Sequence, residues 1–154
     1  MKGMTGRRAL RLITALVVSV PSASRAGSPG TPVGKWKTVD DVTGRATSIV
    51  AIWDQDGKLS GRIEQLIPQP GDEPNPLCTK CHDANKDKPI KGMTIIWGLT
   101  RQGSEWKGGR IMDPDSGTIY RCKLTLIDNG AKLDVRGFIG ISLLGRTQTW
   151  LRAE

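Results

Sequence analysis

Short runs of β-forming residues alternate with turn-forming residues at nearly even spacing along residues 34–152. Turn signals such as Asp56-Gly57 and Asp128-Asn129-Gly130 separate the runs, because glycine adopts positive φ without a Cβ clash. No run keeps an apolar period of 3.6 residues over a dozen positions, as an amphipathic helix would. The alternation therefore predicts about eight strands, at residues 34–39, 46–53, 59–67, 93–100, 105–112, 118–127, 132–139 and 144–152.

Eight antiparallel strands joined as hairpins are enough to close an up-and-down barrel. The alternative is a two-sheet sandwich, which usually needs longer crossing connections. Only residues 68–92 form a long irregular segment here, rich in Pro, Gly, Asp, Asn and Lys. We therefore predict an all-β, antiparallel up-and-down barrel with one long loop at 68–92.

The N-terminus has the three parts of a secretory signal peptide. Four basic residues and no acidic residue precede the apolar run 12–20, and Pro21 ends that run. Ser24 and Ala26 then offer small residues at the −3 and −1 positions of a cleavage site. The run is shorter than the roughly 20 residues that span a bilayer, so we expect no stable membrane insertion. We predict a signal peptide at 1–26, a single domain at 27–154, and a periplasmic or secreted protein.

The high net charge of +8 comes mainly from the predicted signal peptide. Five of the 23 Lys and Arg residues and none of the 15 Asp and Glu residues lie in 1–26, which leaves a net charge of +3 on 27–154. The remaining chain has no basic stripe interleaved with aromatic residues, as nucleic-acid binding would need. We therefore expect no nucleic-acid partner.

The segment Cys78-Thr79-Lys80-Cys81-His82 is the one motif with a specific chemistry. It has the form C-x-x-C-H, the attachment signature of c-type haem, and it could also be a disulfide, a redox pair or part of a zinc site. An oxidising compartment favours a local Cys78–Cys81 disulfide. The β pattern offers no helical haem pocket, and no second C-x-x-C completes a zinc site. We predict the disulfide, with no bound haem or metal, and keep a haem or redox protein as an alternative function.

No other group of residues supports catalysis. His82 is the single histidine of the chain, and no G-x-S-x-G precedes a predicted helix. Carboxylate pairs such as Asp40/Asp41 and Asp113/Asp115 lie in predicted turns, where Asp is favoured for local hydrogen bonds. We predict a protein that is not an enzyme and uses no cofactor.

Several blocks of the sequence resemble a small secreted bacterial family. Gly34-Lys35-Trp36 resembles the G-x-W of lipocalin-type barrels, and most of residues 33–152 resembles the family catalogued as domain of unknown function 2147. The matching blocks are GKWKTVDDVTG (34–44), SIVAIW (48–53), GKLSGRI (57–63), CTKC (78–81), KDKPIKGM (86–93), GGRIMDPDSGTIY (108–120) and LDVRGFIGISLLGRTQTWLR (133–152). The resemblance implies an exported lipocalin-like barrel in which Trp36 closes one end and Arg152 packs across it. It supplies no catalytic residues.

An eight-stranded barrel is just wide enough to hold one small ligand. In the predicted strand 118–127, Tyr120 and Cys122 share an apolar face, which makes Cys122 a buried free thiol. The last strand carries polar and aromatic residues on one face. We predict a site for a small hydrophobic or amphipathic ligand, such as a fatty acid, lined by Tyr120, Arg136, Arg146, Gln148 and Trp150. The alternative is a filled barrel that docks a protein partner in the cell envelope.

Overall fold

The computed structural model describes residues 30–153, so the predicted signal peptide and its cleavage site lie outside the described residues. The described part is an all-β domain of eight strands: β1 Gly34–Val39, β2 Ala46–Gln55, β3 Lys58–Leu66, β4 Thr94–Gln102, β5 Glu105–Asp113, β6 Thr118–Ile127, β7 Lys132–Phe138 and β8 Gly145–Ala153. Two single 3₁₀ turns, Asp83–Asn85 and Asp128–Gly130, are its helical elements. The predicted strand bounds differ from these by at most two residues.

Each strand pairs antiparallel with the next, and β1 pairs with β8, which closes the barrel. In this last pair Trp36 lies opposite Arg152. The closure confirms the predicted up-and-down barrel and excludes the sandwich, whose two sheets would leave β1 and β8 unpaired. In residues 30–153 no helix is long and apolar enough to cross a membrane.

Alternating side chains build the core. In β1, Trp36 and Thr38 are buried while Lys35 and Lys37 are exposed, as the two-residue period of a strand requires. The same alternation in the other strands directs a cluster of apolar side chains into the barrel, including Val50, Leu99, Leu124 and others. Each fully buried Val, Leu, Ile or Phe-sized side chain contributes about 1.5–3 kcal/mol.

The two ends of the barrel differ. At the closed end, the guanidinium of Arg152 lies 4.2 Å from the centre of the Trp36 ring, and Trp36 Nε1 donates to Pro32 O at 2.7 Å. Short connections join the strands at this end, such as the turn at Asp56 and Gly57, where both residues have positive φ. At the open end stand the four other connections: residues 40–45, 67–93, 114–117 and 139–144. These four connections therefore surround the open end of the barrel.

Candidate ligand cavity

A cavity of about 940 Å³ lies inside the barrel and opens between the loops of the open end. Apolar side chains from five strands and from the long loop form most of its wall: Ile63, Leu66, Ile90, Ile95, Ile111, Met112, Val135 and Trp150. Ligand sites typically have volumes of about 300–1,000 Å³ and apolar walls with a few polar groups. The size and lining therefore suit one small apolar or amphipathic molecule.

Three hydroxyl groups on the β1–β2 side interrupt the apolar wall. Thr38 Oγ1 lies 2.8 Å from Ser48 Oγ and 2.7 Å from Thr47 Oγ1, so the hydroxyls satisfy one another. Hydrogen bonding offsets the cost of burying such groups. The sequence analysis missed these residues, although Thr38 shares the inward face of β1 with Trp36.

Gln148 and Trp150 point inward from β8, as does Tyr120 from β6. Trp150 is almost fully buried, and its Nε1 donates to Gln148 Oε1 at 3.3 Å. The pair presents an aromatic ring with an amide beside it. Ile111, Val135 and Gly137 also line the cavity.

Arg146 lines the mouth of the cavity instead of its interior. Its side chain is 68% exposed, its Nε donates to Asp41 Oδ2 at 2.9 Å, and its Nη2 donates to the same oxygen. The hydrogen bond to Asp41 raises the pKa of Arg146. Arg146 therefore lies at the edge of the predicted ligand-lining set, exposed and paired with a carboxylate. Arg146 is the second residue of β8, where the strand emerges from the barrel.

Arg136 lies outside the cavity, which corrects the predicted set. Leu133, Val135 and Gly137 take the inward positions of β7, so Arg136 points to the outer surface. There its guanidinium donates to Ser142 O at 2.8 Å, to Thr147 Oγ1 at 2.8 Å and to Leu143 O at 3.3 Å. Arg136 thus supports the loop 139–144 and does not reach a ligand inside the barrel.

Cys78 and Cys81 form a disulfide, and both are buried under the open end. Cys78 Sγ lies 3.1 Å from Pro114 O, and Cys81 Sγ lies 3.7 Å from Met112 Sδ, so the bridge packs on the end of β5. A Cβ at Gly117, which has positive φ, would clash with the carbonyl oxygen of Lys80. The contact therefore requires glycine in the β5–β6 turn.

The disulfide bears on the other interpretations of C-x-x-C-H. With the two sulfurs bonded to each other, neither thiol is left to attach a haem vinyl group. His82 is exposed, and residues 30–153 hold no group of three His, Cys, Asp or Glu side chains that could bind a metal. The third cysteine, Cys122, is a buried free thiol whose pKa is raised to about 12 by burial. Because the thiolate is the reactive form, Cys122 is inert at neutral pH.

Asp40 and Asp113, at the open end, accept hydrogen bonds from backbone groups of their own turns. Asp40 Oδ1 accepts from Val42 N at 3.1 Å and from Thr43 N at 2.6 Å, and these bonds lower the pKa of Asp40. Asp113 accepts from Asp115 N at 2.9 Å. Burial, with the nearby charge of Asp113, raises the pKa of Asp115. The hydrogen bonds of Asp40 and Asp113 are the local side-chain contacts for which Asp is favoured in turns.

Comparisons with known proteins agree with this architecture. The family described as "uncharacterized protein conserved in bacteria (DUF2147)" matches residues 34–152. Among curated proteins, none matches the chain. One similar solved structure is protein HP1028 from Helicobacter pylori, described as belonging to the lipocalin family. It is 18% identical, with a TM-score of 0.67 over 79% of this chain and 82% of that chain, which shows a shared fold.

Proposed function

We propose that this chain, which belongs to the DUF2147 family, is an exported, non-enzymatic binding protein of the cell envelope whose barrel holds one single-chain amphipathic ligand of the fatty-acid type. The observation that carries the proposal is the cavity of about 940 Å³, which is mostly apolar inside and has the charged group of Arg146 at its mouth. Its lipocalin-like fold is also one that commonly encloses a ligand.

The interior favours a hydrocarbon chain. Ile95, Ile111 and Val135 line it together with the ring of Trp150, and the Thr38–Ser48 hydroxyls already bond to each other. A polar ligand group placed there would lose its hydrogen bonds to water and find few partners, which costs roughly 1–3 kcal/mol for each unmade bond. An alkyl chain has no such cost and gains from apolar burial.

The mouth favours a polar or anionic head group. Arg146 is anchored by Asp41 on the neighbouring loop, yet its side chain remains mostly exposed, with donor positions free for a second acceptor. Gln148 lies two residues deeper on the same face of β8, between the mouth and Trp150. A carboxylate at the mouth would accept from Arg146 while the chain of the ligand lies inside.

The cavity can be filled without changing its polar groups. Gly137 lines the cavity, and a Cβ there would lie 3.5 Å from Tyr120 Cβ and 3.6 Å from Ile111 Cγ2, which is ordinary contact. We predict that Gly137→Ala keeps the affinity for dodecanoate and hexadecanoate, whereas Gly137→Trp occupies the space and weakens binding at least about tenfold, or roughly 1.4 kcal/mol. Isothermal titration calorimetry measures both.

Circular dichroism and the urea midpoint establish that both variants are folded. Equal affinities of a folded Gly137→Trp variant and the parent protein would contradict binding inside the barrel. Failure of the parent protein to bind either fatty acid would contradict the proposed ligand class.

A further inference from the structure

Five large apolar residues in two neighbouring loops of the open end are highly exposed. Ile139, Ile141, Leu143 and Leu144 in the β7–β8 loop and Val42 in the β1–β2 loop expose 60% to 92% of their surface. We call these five residues the apolar rim. The two loops are neighbours because β1 pairs with β8, and the Asp41–Arg146 ion pair connects them. Exposed apolar clusters of this kind mark interaction surfaces.

Arginines lie on the outer wall directly beside the rim. Arg121 Nη1 donates to Gly140 O at 3.4 Å, and Arg136 donates to Ser142 O and Leu143 O, so both guanidinium groups are at the level of the β7–β8 loop. Arg110 lies opposite Arg121 in the β5–β6 register. We call Arg110, Arg121 and Arg136 the arginine collar.

Among the described residues, no nearby carboxylate balances the positive charge of the arginine collar. Within residues 30–153, no carboxylate oxygen lies within 4.0 Å of any collar arginine, whereas Arg146 is paired with Asp41. Arg110 and Arg121 lie directly opposite each other, and like charges in this arrangement destabilise a sheet. An anion bound between or above the two guanidinium groups would offset this repulsion. Of the acidic residues at the open end, Asp40, Asp72 and Asp113 accept hydrogen bonds from their own turns, and Asp41 is paired with Arg146.

We propose that the open end docks reversibly on an anionic phospholipid bilayer, with the apolar rim in the interface and the arginine collar against the head groups. Apolar side chains flanked by basic ones are the arrangement by which peripheral proteins bind such surfaces. The rim is also continuous with the cavity, since Ile139, Leu143 and Leu144 line its mouth. Docking therefore places the mouth of the cavity at the lipid surface. This proposal goes beyond ligand binding and does not require it.

A second copy of the chain fits this surface poorly. In a two-fold symmetric dimer the same patch is used on both subunits, which brings two positively charged arginine collars to one interface. The charge repulsion that disfavours such a dimer becomes attraction at a surface of lipid phosphates. The collar therefore distinguishes between the two occupants.

Vesicle flotation tests the proposal with the chain that begins at Gly27, since residues 30–153 close the barrel and form its core. One set of vesicles contains phosphatidylcholine alone and the other an equal mixture with phosphatidylglycerol. We expect the parent protein to bind the anionic vesicles and to dissociate with salt. Leu143→Asp/Leu144→Asp should weaken binding at least about tenfold. Leu151→Asp, a matched change at a 39% exposed residue far from the rim, should leave it unchanged.

Two further variants separate the contribution of the arginine collar from that of the cavity. Arg110→Gln/Arg121→Gln should weaken binding to the anionic vesicles about fivefold or more, with the β7–β8 loop still held by Arg136. Gly137→Trp, with its cavity filled, should bind vesicles like the parent protein. This last result distinguishes docking from extraction of a lipid into the barrel, so docking and ligand binding can fail separately.

Three results would overturn the proposal: no binding of the parent protein to anionic vesicles, equal binding of Leu143→Asp/Leu144→Asp, or loss of binding in Leu151→Asp alone. Sedimentation velocity over a range of protein concentrations tests the other occupant. A dimer that disappears in Leu143→Asp/Leu144→Asp, without vesicle binding by the parent, would assign the rim to a second copy.

Discussion

Arg152 joins three separate segments at the closed end of the barrel. Its Nε donates to Gly130 O at 2.6 Å and its Nη2 to Thr31 O at 3.0 Å, while the guanidinium plane lies over Trp36. Lysine carries the same charge but lacks the planar fork that reaches two carbonyls at once. One side chain therefore links the segment before β1, the β6–β7 connection and the ring that covers the core.

We predict that Arg152→Ala lowers the free energy of unfolding by about 2–4 kcal/mol, because it removes charged hydrogen bonds and a cation–π contact. Arg152→Lys should restore part of this loss. Arg62→Ala is the matched control, since Arg62 is exposed and 6.0 Å from the Trp53 ring, and it should cost under about 0.5 kcal/mol. Urea unfolding measures all three, and equal losses for Arg152→Ala and Arg62→Ala would contradict the linking role.

The two arginines that the sequence analysis assigned to the cavity show what a residue pattern can and cannot decide. A period of two tells which residues share a face, and in β7 the apolar Leu133 and Val135 identify the inward face. The sequence pattern alone could therefore have excluded Arg136, on the opposite face, from the cavity wall. The position of Arg146 was not, because its partner Asp41 is 105 residues away and is brought near by barrel closure.

At the scale of the elements, the strands and the existence of the long loop were predictable, and the path of that loop was not. Turn residues such as Asp56-Gly57 end strands through local backbone geometry, which the sequence displays directly. The path of residues 67–93 depends on distant contacts, such as Lys80 against Gly117. The same holds for the Thr38–Ser48 hydroxyl pair, whose bond requires the β1–β2 register.

The disulfide stabilises this loop locally. Cys78 N donates to Lys88 O at 2.8 Å and Ile90 N donates to Pro76 O at 3.0 Å, so the loop has its own hydrogen bonds around the buried bridge. The bridge closes a very short ring, for which the chain-entropy account gives about 2 kcal/mol. Its effect on the whole barrel should therefore be modest, since the strands remain paired without it.

We predict that Cys78→Ser/Cys81→Ser lowers the free energy of unfolding by about 2 kcal/mol. Hydrogen exchange should accelerate at the amides of Cys78 (now Ser) and Ile90, while the amides of β6 and β7 keep their protection. Thiol titration of the denatured parent protein should find one free thiol, Cys122, which does not react in the folded state because burial raises its pKa. Three free thiols in protein isolated from the periplasm would contradict the bridge.

At the scale of the whole molecule, the N-terminal sequence and the disulfide both motivate the proposal that the protein is exported. The N-terminal sequence has the three parts of an export signal. A Cys78–Cys81 bridge also persists most readily outside the reducing cytoplasm.

We predict that the protein is exported and begins at Gly27 after cleavage following Ala26. Intact-mass measurement of the periplasmic fraction of a producing bacterium should show loss of residues 1–26, and with them five basic residues and no acidic ones. Ala26→Phe should block cleavage at that bond, because the −1 position requires a small residue, whereas Gly30→Ala, four residues downstream, should not affect it. Gly30 does not adopt a left-handed φ, and a Cβ at this position meets no atom within 4 Å. The control variant should therefore fold normally. A periplasmic protein with Met1 intact would contradict the signal, and a protein confined to the cytoplasm would remove the basis for its role in the cell envelope.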